Sequence, residues 1–304
     1  MKILFMGTTD FAEACLDSIV KAGYSVCAVC TKPDRPQKRG MKMISPPVKE
    51  YALKAGLPVL QPATLKEQEV QEQLAAYGAD LFVVVAYGHL LPKAVLDMPK
   101  MGCINVHGSL LPKLRGAAPI QWAVLNGLKE TGVSTMFLNE GMDSGPVIDT
   151  VSLVLEEYEP FGSVYERLKA LGAQLLAETL EKLEQGSAQV TAQDESEATY
   201  APPITKAHCA VDWNREPEAI AAQLCGLDPK PGATADFGGT VFKLFAPRYT
   251  DTVTELAPGS IVNQSKLGLE VACGGGRTLM ITQLQAPGGK RMRAADYLRG
   301  HSIP

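Results

Sequence analysis

Through the first half of the chain, short β-branched and apolar runs alternate with longer runs of helical periodicity, an order that few folds accommodate. The strand candidates are KILFM (2–6), SVCAVC (25–30), DLFVVVA (80–86), CINVH (103–107) and VSTMFL (133–138). Several are apolar on both faces, which suits a parallel sheet covered by helices on each side. The expected architecture is therefore α/β, with a Rossmann-like, mostly parallel sheet. In such sheets ligands collect at the carboxyl ends of strands. Chemistry is expected in the loops after Met6, Cys30, Ala86, His107 and Leu138.

The second half follows another pattern. Residues 163–184 place Val164, Leu168, Leu171, Leu175, Leu180 and Leu183 at helical spacing, with Ser163 and Glu166 as a capping box and Gly186 as the stop. The polar stretch 186–206 has no periodicity and reads as a linker. Beyond it, Pro217, Ile220 and Leu224 suggest a short helix ending at Gly226. The runs TVFKLFA, GSIVNQ, LGLEVAC and TLMITQL, separated by Gly and Pro turns, read as antiparallel strands of a small OB-like β-barrel. The chain has 304 residues, enough for two cores: a catalytic domain over 1–186, a linker over 187–206 and a β-barrel domain over 207–304.

Composition excludes several classes. At 46% hydrophobic and 20% charged residues the chain is neither disordered nor fibrous. No apolar run reaches the roughly 20 residues of a membrane helix, and MKILFMGTTD does not resemble a secretory leader. The expected address is the cytoplasm, with no membrane contact. Seven cysteines in apolar surroundings read as buried thiols, not a disulfide framework. Cys27 and Cys30 form C-x-x-C, but three residues apart in a strand they face opposite sides, so no metal site is expected. The G-x-G-x-x-G spacing is absent after the first strand, which argues against a dinucleotide. The net charge of −4 hides a local basic loop: Lys32, Arg35, Lys38, Arg39, Lys42 and Lys49 surround the single acid Asp34. By itself that loop reads equally as a solvated surface.

The densest chemistry lies in GCINVHGSLLPKLRGAAPIQWAV (102–124) and NEGMDSGPVI (139–148). Asn105 and His107 stand two apart at a strand end, so both side chains leave one face and can converge on one atom. A His of ordinary pKa serves as general acid or base near neutrality, and an Asn amide supplies a fixed N–H for an oxyanion. Asp143, in a Gly-rich loop after the next strand, can hold the imidazole's other nitrogen or take a proton. The same residue types also fit a satisfied structural pair and an Asp-Ser-Gly turn. No G-x-S-x-G elbow is present, which favours direct attack of one substrate on another over a covalent acyl-enzyme.

INVHGSLLPKLRGAAPIQWAVLNG with TGVSTMFLNEGMDSGPVI resembles the formyl-transfer domain of 10-formyltetrahydrofolate-dependent enzymes. The wider match, including MGTTDFA (6–12), TKPDRPQKRG (31–40), SPPVKEYA (45–52), VVVAYGHLLP (83–92) and ITKAHCAVDW (204–213), resembles the methionyl-tRNA formyltransferase family nearly end to end. The resemblance implies Asn105, His107 and Asp143 as catalytic, and Ser109, Leu110, Leu111 and Pro112 as folate contacts. It implies that the basic loop enters the acceptor end of tRNA through Lys38, Arg39 and Lys42, with Arg39 at the position of a key arginine. The implied reaction passes the formyl group of 10-formyltetrahydrofolate to the α-amine of methionyl initiator tRNA, for translation initiation, in a monomer. Folate-dependent formylation of an amino sugar nucleotide or glycinamide ribonucleotide is an alternative, as is a non-catalytic RNA-binding protein.

The match is weaker after the linker. Where the family has an Arg-containing helix and an Asn-Pro-Trp-Pro-Gly segment, this chain reads QLCGLDPKPGA (223–233), with Cys225 for the arginine and Lys230 for the tryptophan. Thr9 stands where the opening motif usually has Pro.

Overall fold

A computed structural model describes residues 1–37 and 42–304. The expected sites Lys38 and Arg39 lie outside those residues. The chain divides into two compact units. One comprises Met1–Gly116, Gly132–Ser152 and Arg167–Tyr200, and the other Ala117–Thr131, Leu153–Glu166 and Ala201–Pro304.

In the first unit, β1 (Lys2–Gly7) leads into α1 (Asp10–Lys21) and β2 (Ser25–Cys30). Thr9 is the N-cap of α1, its hydroxyl accepting from the Ala12 N–H at 3.4 Å, a role that proline could not fill. In the basic stretch, β3 (Arg35–Gln37) pairs antiparallel with β4 (Lys42–Ile44), which places Lys42 on a strand. There follow α2 (Pro47–Lys54), β5 (Val59–Leu60), α3 (Gln68–Ala76), β6 (Leu81–Val85), α4 (Lys93–Leu96) and β7 (Cys103–His107). After α5 (Pro119–Leu125), which belongs to the second unit, come β8 (Glu130–Phe137) and β9 (Val147–Val154). The seven-stranded sheet runs β5-β2-β1-β6-β7-β8-β9.

The pairings β2–β5, β1–β2, β1–β6 and β6–β7 are parallel, as the doubly apolar runs predict. Leu4, Met6, Phe82 and Val84 supply one side of the core, closed by Leu74 and Val95. Strand β8 departs from the expectation, running antiparallel to β7 with His107 opposite Ser134 and Ile104 opposite Phe137. Its carboxyl end is therefore level with the start of β7, not with His107. An apolar run does not encode strand direction, so the sequence could not distinguish the two.

Helix α6 (Phe161–Glu184) is the long helix expected, but it begins two residues earlier than its predicted cap. Ser163 sits inside the first turn, where its hydroxyl donates to Glu159 Oε1 at 2.7 Å, so the Ser163–Glu166 capping box does not set the helix start. Gly186 does stop it: at φ 67°, its N–H and that of Ser187 reach back to the Leu183 and Lys182 carbonyls.

The second unit contains α7 (Pro217–Gly226), β10 (Ala233–Phe237), β11 (Thr240–Val253), β12 (Ile261–Gln264), β13 (Leu269–Ala272), β14 (Arg277–Gln285), β15 (Met292–Arg293) and α8 (Ala294–Leu298). Its sheet runs β10-β11-β14-β13-β12 with β15 on β14, neighbouring strands pairing antiparallel. This is the small barrel-like unit that the Gly- and Pro-punctuated runs predict. Ile220 and Leu224 of α7 pack with Leu244, Leu269, Val271, Leu279 and Ile281 in its core. Cys225 is buried in α7 and Lys230 is exposed.

Candidate active site

Strand β7 delivers two polar side chains to one face. Its burial alternates little, because both faces are covered, yet Asn105 is only half-buried while His107 is 6% exposed. The Asn105 side-chain amide makes no hydrogen bond among the described residues. A half-buried amide without an internal partner is a group open to a ligand.

His107 is held from both nitrogens. Nε2 lies 3.0 Å from the Leu114 carbonyl oxygen. A carbonyl can only accept, so Nε2 carries the hydrogen and donates, which leaves Nδ1 as the nitrogen that gains or loses a proton. Nδ1 faces Asp143 Oδ2 at 3.6 Å, within ion-pairing range but beyond a hydrogen bond. The same carboxylate oxygen accepts the Gly116 N–H at 2.8 Å. Asp143 is 19% exposed at its side chain, so the site is open on the carboxylate side.

Both of the groups that face the imidazole sit on strained backbone. Leu114 has φ 58° and Asp143 has φ 48°, in the left-handed region that costs a non-glycine residue about 1–3 kcal/mol. The loop that carries Asp143 is shaped by Asn139, whose Oδ1 accepts from the Gly141 N–H at 3.0 Å and the Ser144 hydroxyl at 3.1 Å. A side chain on Gly145 would strike the Phe137 carbonyl, so glycine there lets the loop fold tightly back on β8. That return brings Asp143 to His107 although β8 ends at the far end of β7.

The run 109–112 turns beside this trio. Ser109 is fully buried, its hydroxyl donating to the Lys113 carbonyl at 2.6 Å, while Leu110, Leu111 and Pro112 remain partly accessible. Ser134 Oγ ties the run to β8, accepting from the Leu111 N–H at 3.1 Å and donating to the Ser109 carbonyl at 2.7 Å. Leu114 is a residue that reasoning from residue types passed over; its role rests on a backbone carbonyl and a left-handed φ, which no side-chain motif announces.

Other singled-out residues do not join the site. Cys27 Sγ lies 3.2 Å from the Ile3 carbonyl and Cys30 Sγ 3.3 Å from the Tyr87 hydroxyl, so the pair does not converge. Burial pushes the Cys30 thiol up to about 11, with the Tyr87 hydrogen bond pulling the other way. In the basic loop, Asp34 accepts from Lys49 Nζ at 2.8 and 2.9 Å and from Gln61, whose bond is the main reason that its carboxyl lies below its ordinary range. Among the described residues no group of His, Cys, Asp and Glu is arranged to hold a metal, and no helix is long and apolar enough to cross a membrane.

The fold has known counterparts. Residues 1–180 match the formyl transferase family and residues 203–302 its C-terminal domain. Methionyl-tRNA formyltransferases of Trichlorobacter lovleyi and Desulfotalea psychrophila are 45% and 44% identical, covering 99% and 100% of this chain and 95% and 94% of their own. At 17% identity and a TM-score of 0.66, HypX from Aquifex aeolicus, solved in complex with tetrahydrofolic acid, shares the fold over 98% of this chain and 47% of its own. The chain belongs to the formyl transferases, and among them to the methionyl-tRNA formyltransferase family.

Proposed function

We propose that this protein transfers the formyl group of 10-formyltetrahydrofolate to the α-amine of methionine esterified to initiator tRNA. The observation that carries the reading is the trio itself: an imidazole with Nε2 fixed by a main-chain carbonyl, Nδ1 beside a carboxylate, and an unengaged amide on the same strand face.

The residues fit a formyl donor. Leu110, Leu111 and Pro112, which follow closely after His107 in the chain, offer accessible apolar surface to folate. As the amine nitrogen bonds to the formyl carbon, negative charge grows on the formyl oxygen. Asn105 Nδ2 donates to that oxygen, and His107, protonated on Nδ1, adds a positive charge. Asp143, 3.6 Å from Nδ1, keeps the ring oriented. Collapse breaks the carbon–N10 bond, and one proton passes from the attacking nitrogen to the departing one by way of Nδ1 and the Asp143 carboxylate. The scheme needs no covalent intermediate.

The basic loop supplies the contact to tRNA in this reading, through Lys38, Arg39 and Lys42 on phosphates, so binding weakens as salt rises. Each lysine or arginine removed from that loop lowers the salt slope by about one. The protein acts as a cytoplasmic monomer.

The test is an acceptor panel. Purified protein with 10-formyltetrahydrofolate is offered charged initiator tRNA, glycinamide ribonucleotide and an amino sugar nucleotide separately. Formylation of the charged tRNA is expected. Formylation of only a small-molecule acceptor, or of none, overturns the reading.

A further inference from the structure

The stretch after α6 that reads as a mere linker carries hydrogen bonds to both partners of the imidazole. Thr199 Oγ1 accepts from the Leu114 N–H at 2.9 Å, and the Thr199 carbonyl accepts from the Arg115 N–H at 2.8 Å. On the other side, Gln193 Nε2 donates to the Asp143 carbonyl at 2.9 Å and to the Gly145 carbonyl at 2.6 Å. The two strained, left-handed residues that flank His107 are thus each tied to one segment of about seven residues.

The orientation of Gln193 is chemically forced. Its Oε1 receives Nε and Nη2 of Arg115 at 3.0 and 2.8 Å, and a guanidinium has only donors to give. The amide therefore cannot flip, and its NH2 must face the two loop carbonyls. Arg115 is itself 1% exposed and locked by a two-pronged pair with Glu195, at 2.9 and 2.8 Å. A planar guanidinium held at both prongs is a rigid mount.

We propose that residues 193–199 form a positioning strap of the active site, in which Gln193 and Thr199 hold the Asp143 loop and the Leu114 carbonyl in the strained backbone that sets the orientation and tautomer of His107. The inference rests on the catalytic reading of His107 above. Neither Gln193 nor Thr199 touches a substrate in this account; both act through residues that face the imidazole. Thr199 is exposed, so its substitution does not open the core.

The experiment uses the full-length protein, 10-formyltetrahydrofolate and methionyl initiator tRNA in single-turnover formylation, with Thr199→Val, Thr199→Ser, Gln193→Glu and His107→Ala. Thr199→Val keeps the shape and removes the acceptor. Gln193→Glu keeps the Arg115 pairing and turns a second acceptor onto the loop carbonyls. Each is expected to slow the chemical step by about tenfold, the scale of one lost hydrogen bond, with the KM for each substrate within about twofold. Thr199→Ser is expected to restore the rate. The nitrogen NMR signals of His107 are expected to show the Nε2–H form in the parent and a tautomer mixture in Thr199→Val. A structural role alone would lower the melting temperature without altering those signals. If His107→Ala is inactive while Thr199→Val and Gln193→Glu both keep the parent rate and tautomer, the strap is wrong and the catalytic reading stands. If His107→Ala keeps its rate, the catalytic reading itself falls, and the strap falls with it.

Discussion

The strand-end trio of the first unit and two buried acids of the second put buried polar groups to different ends. In the second, Glu270 and Asp228 are each 5% exposed and each is closed by a neighbour: Glu270 Oε1 accepts from the Thr278 hydroxyl at 2.7 Å, and Asp228 receives both prongs of Arg291 at 2.5 and 2.9 Å. The Arg291 guanidinium also lies 4.1 Å from the centre of the Phe245 ring, so that cation has its partners as well. In the first unit, His107 is equally buried, but its Nδ1 faces a carboxylate across 3.6 Å and the amide beside it has no partner. Closed hydrogen-bonding capacity serves architecture. Open capacity beside a buried titratable group is what a reacting carbonyl can complete.

That contrast can be broken in order of expected size. Asp143→Asn keeps an acceptor for the Gly116 N–H and removes the charge, so formyl transfer should fall by about 100-fold with little change in melting temperature; a near-parent rate in a single-turnover assay would erase the distinction. In the second unit, Leu279→Ala opens a cavity in a fully buried cluster and should cost about 3 kcal/mol in urea unfolding, and a loss under 1 kcal/mol would mean that this core is loosely packed. Asp228→Ala takes both carboxylate acceptors from Arg291, leaving it only Gln283 Oε1 at 2.7 Å on Nε, and should cost roughly 2 kcal/mol. If instead it abolishes turnover in protein that remains folded, the closed pairs are not merely architectural.

The smallest effect is alkaline. Burial pushes the Cys225 and Cys273 thiols of the second unit up to about 12. A raised thiol keeps its proton more tightly when folded, so its contribution is complete below the ordinary value near 9.0 and is lost as pH climbs from there toward about 12. Stability in urea should be level up to pH 8 and drop by pH 9.5, by up to ~0.8 kcal/mol for each thiol. Cys225→Ala should flatten that drop; an unchanged slope would mean that its thiol is not the group involved.

Much of this was legible in the sequence. SVCAVC and CINVH coincide with β2 and β7 because strands apolar on both faces leave an uninterrupted signature, and the α6 periodicity survived its mistaken cap. Asn105 and His107 could be placed on one face from their spacing alone. Other features could not be read. The direction of β8 is set by tertiary connection, and β10, ATADF, is built mostly of small and polar residues that do not stand out from its turns. The strap was hidden because its work is done by Gln193 and Thr199 in a polar segment with no periodicity, through bonds to main-chain atoms distant in sequence. Leu114 was hidden for the same reason, since a carbonyl is common to every residue.

The most direct measurement is a single-turnover cycle of Asn105→Ala, His107→Ala and the double variant, each with bound folate measured separately. Each single change should slow formyl transfer by about 100-fold or more while folate still binds, and the double should lose much less than the product of the two, since both groups act on one developing oxyanion. Near-parent rates in either single variant, or losses that multiply cleanly, would contradict that shared action.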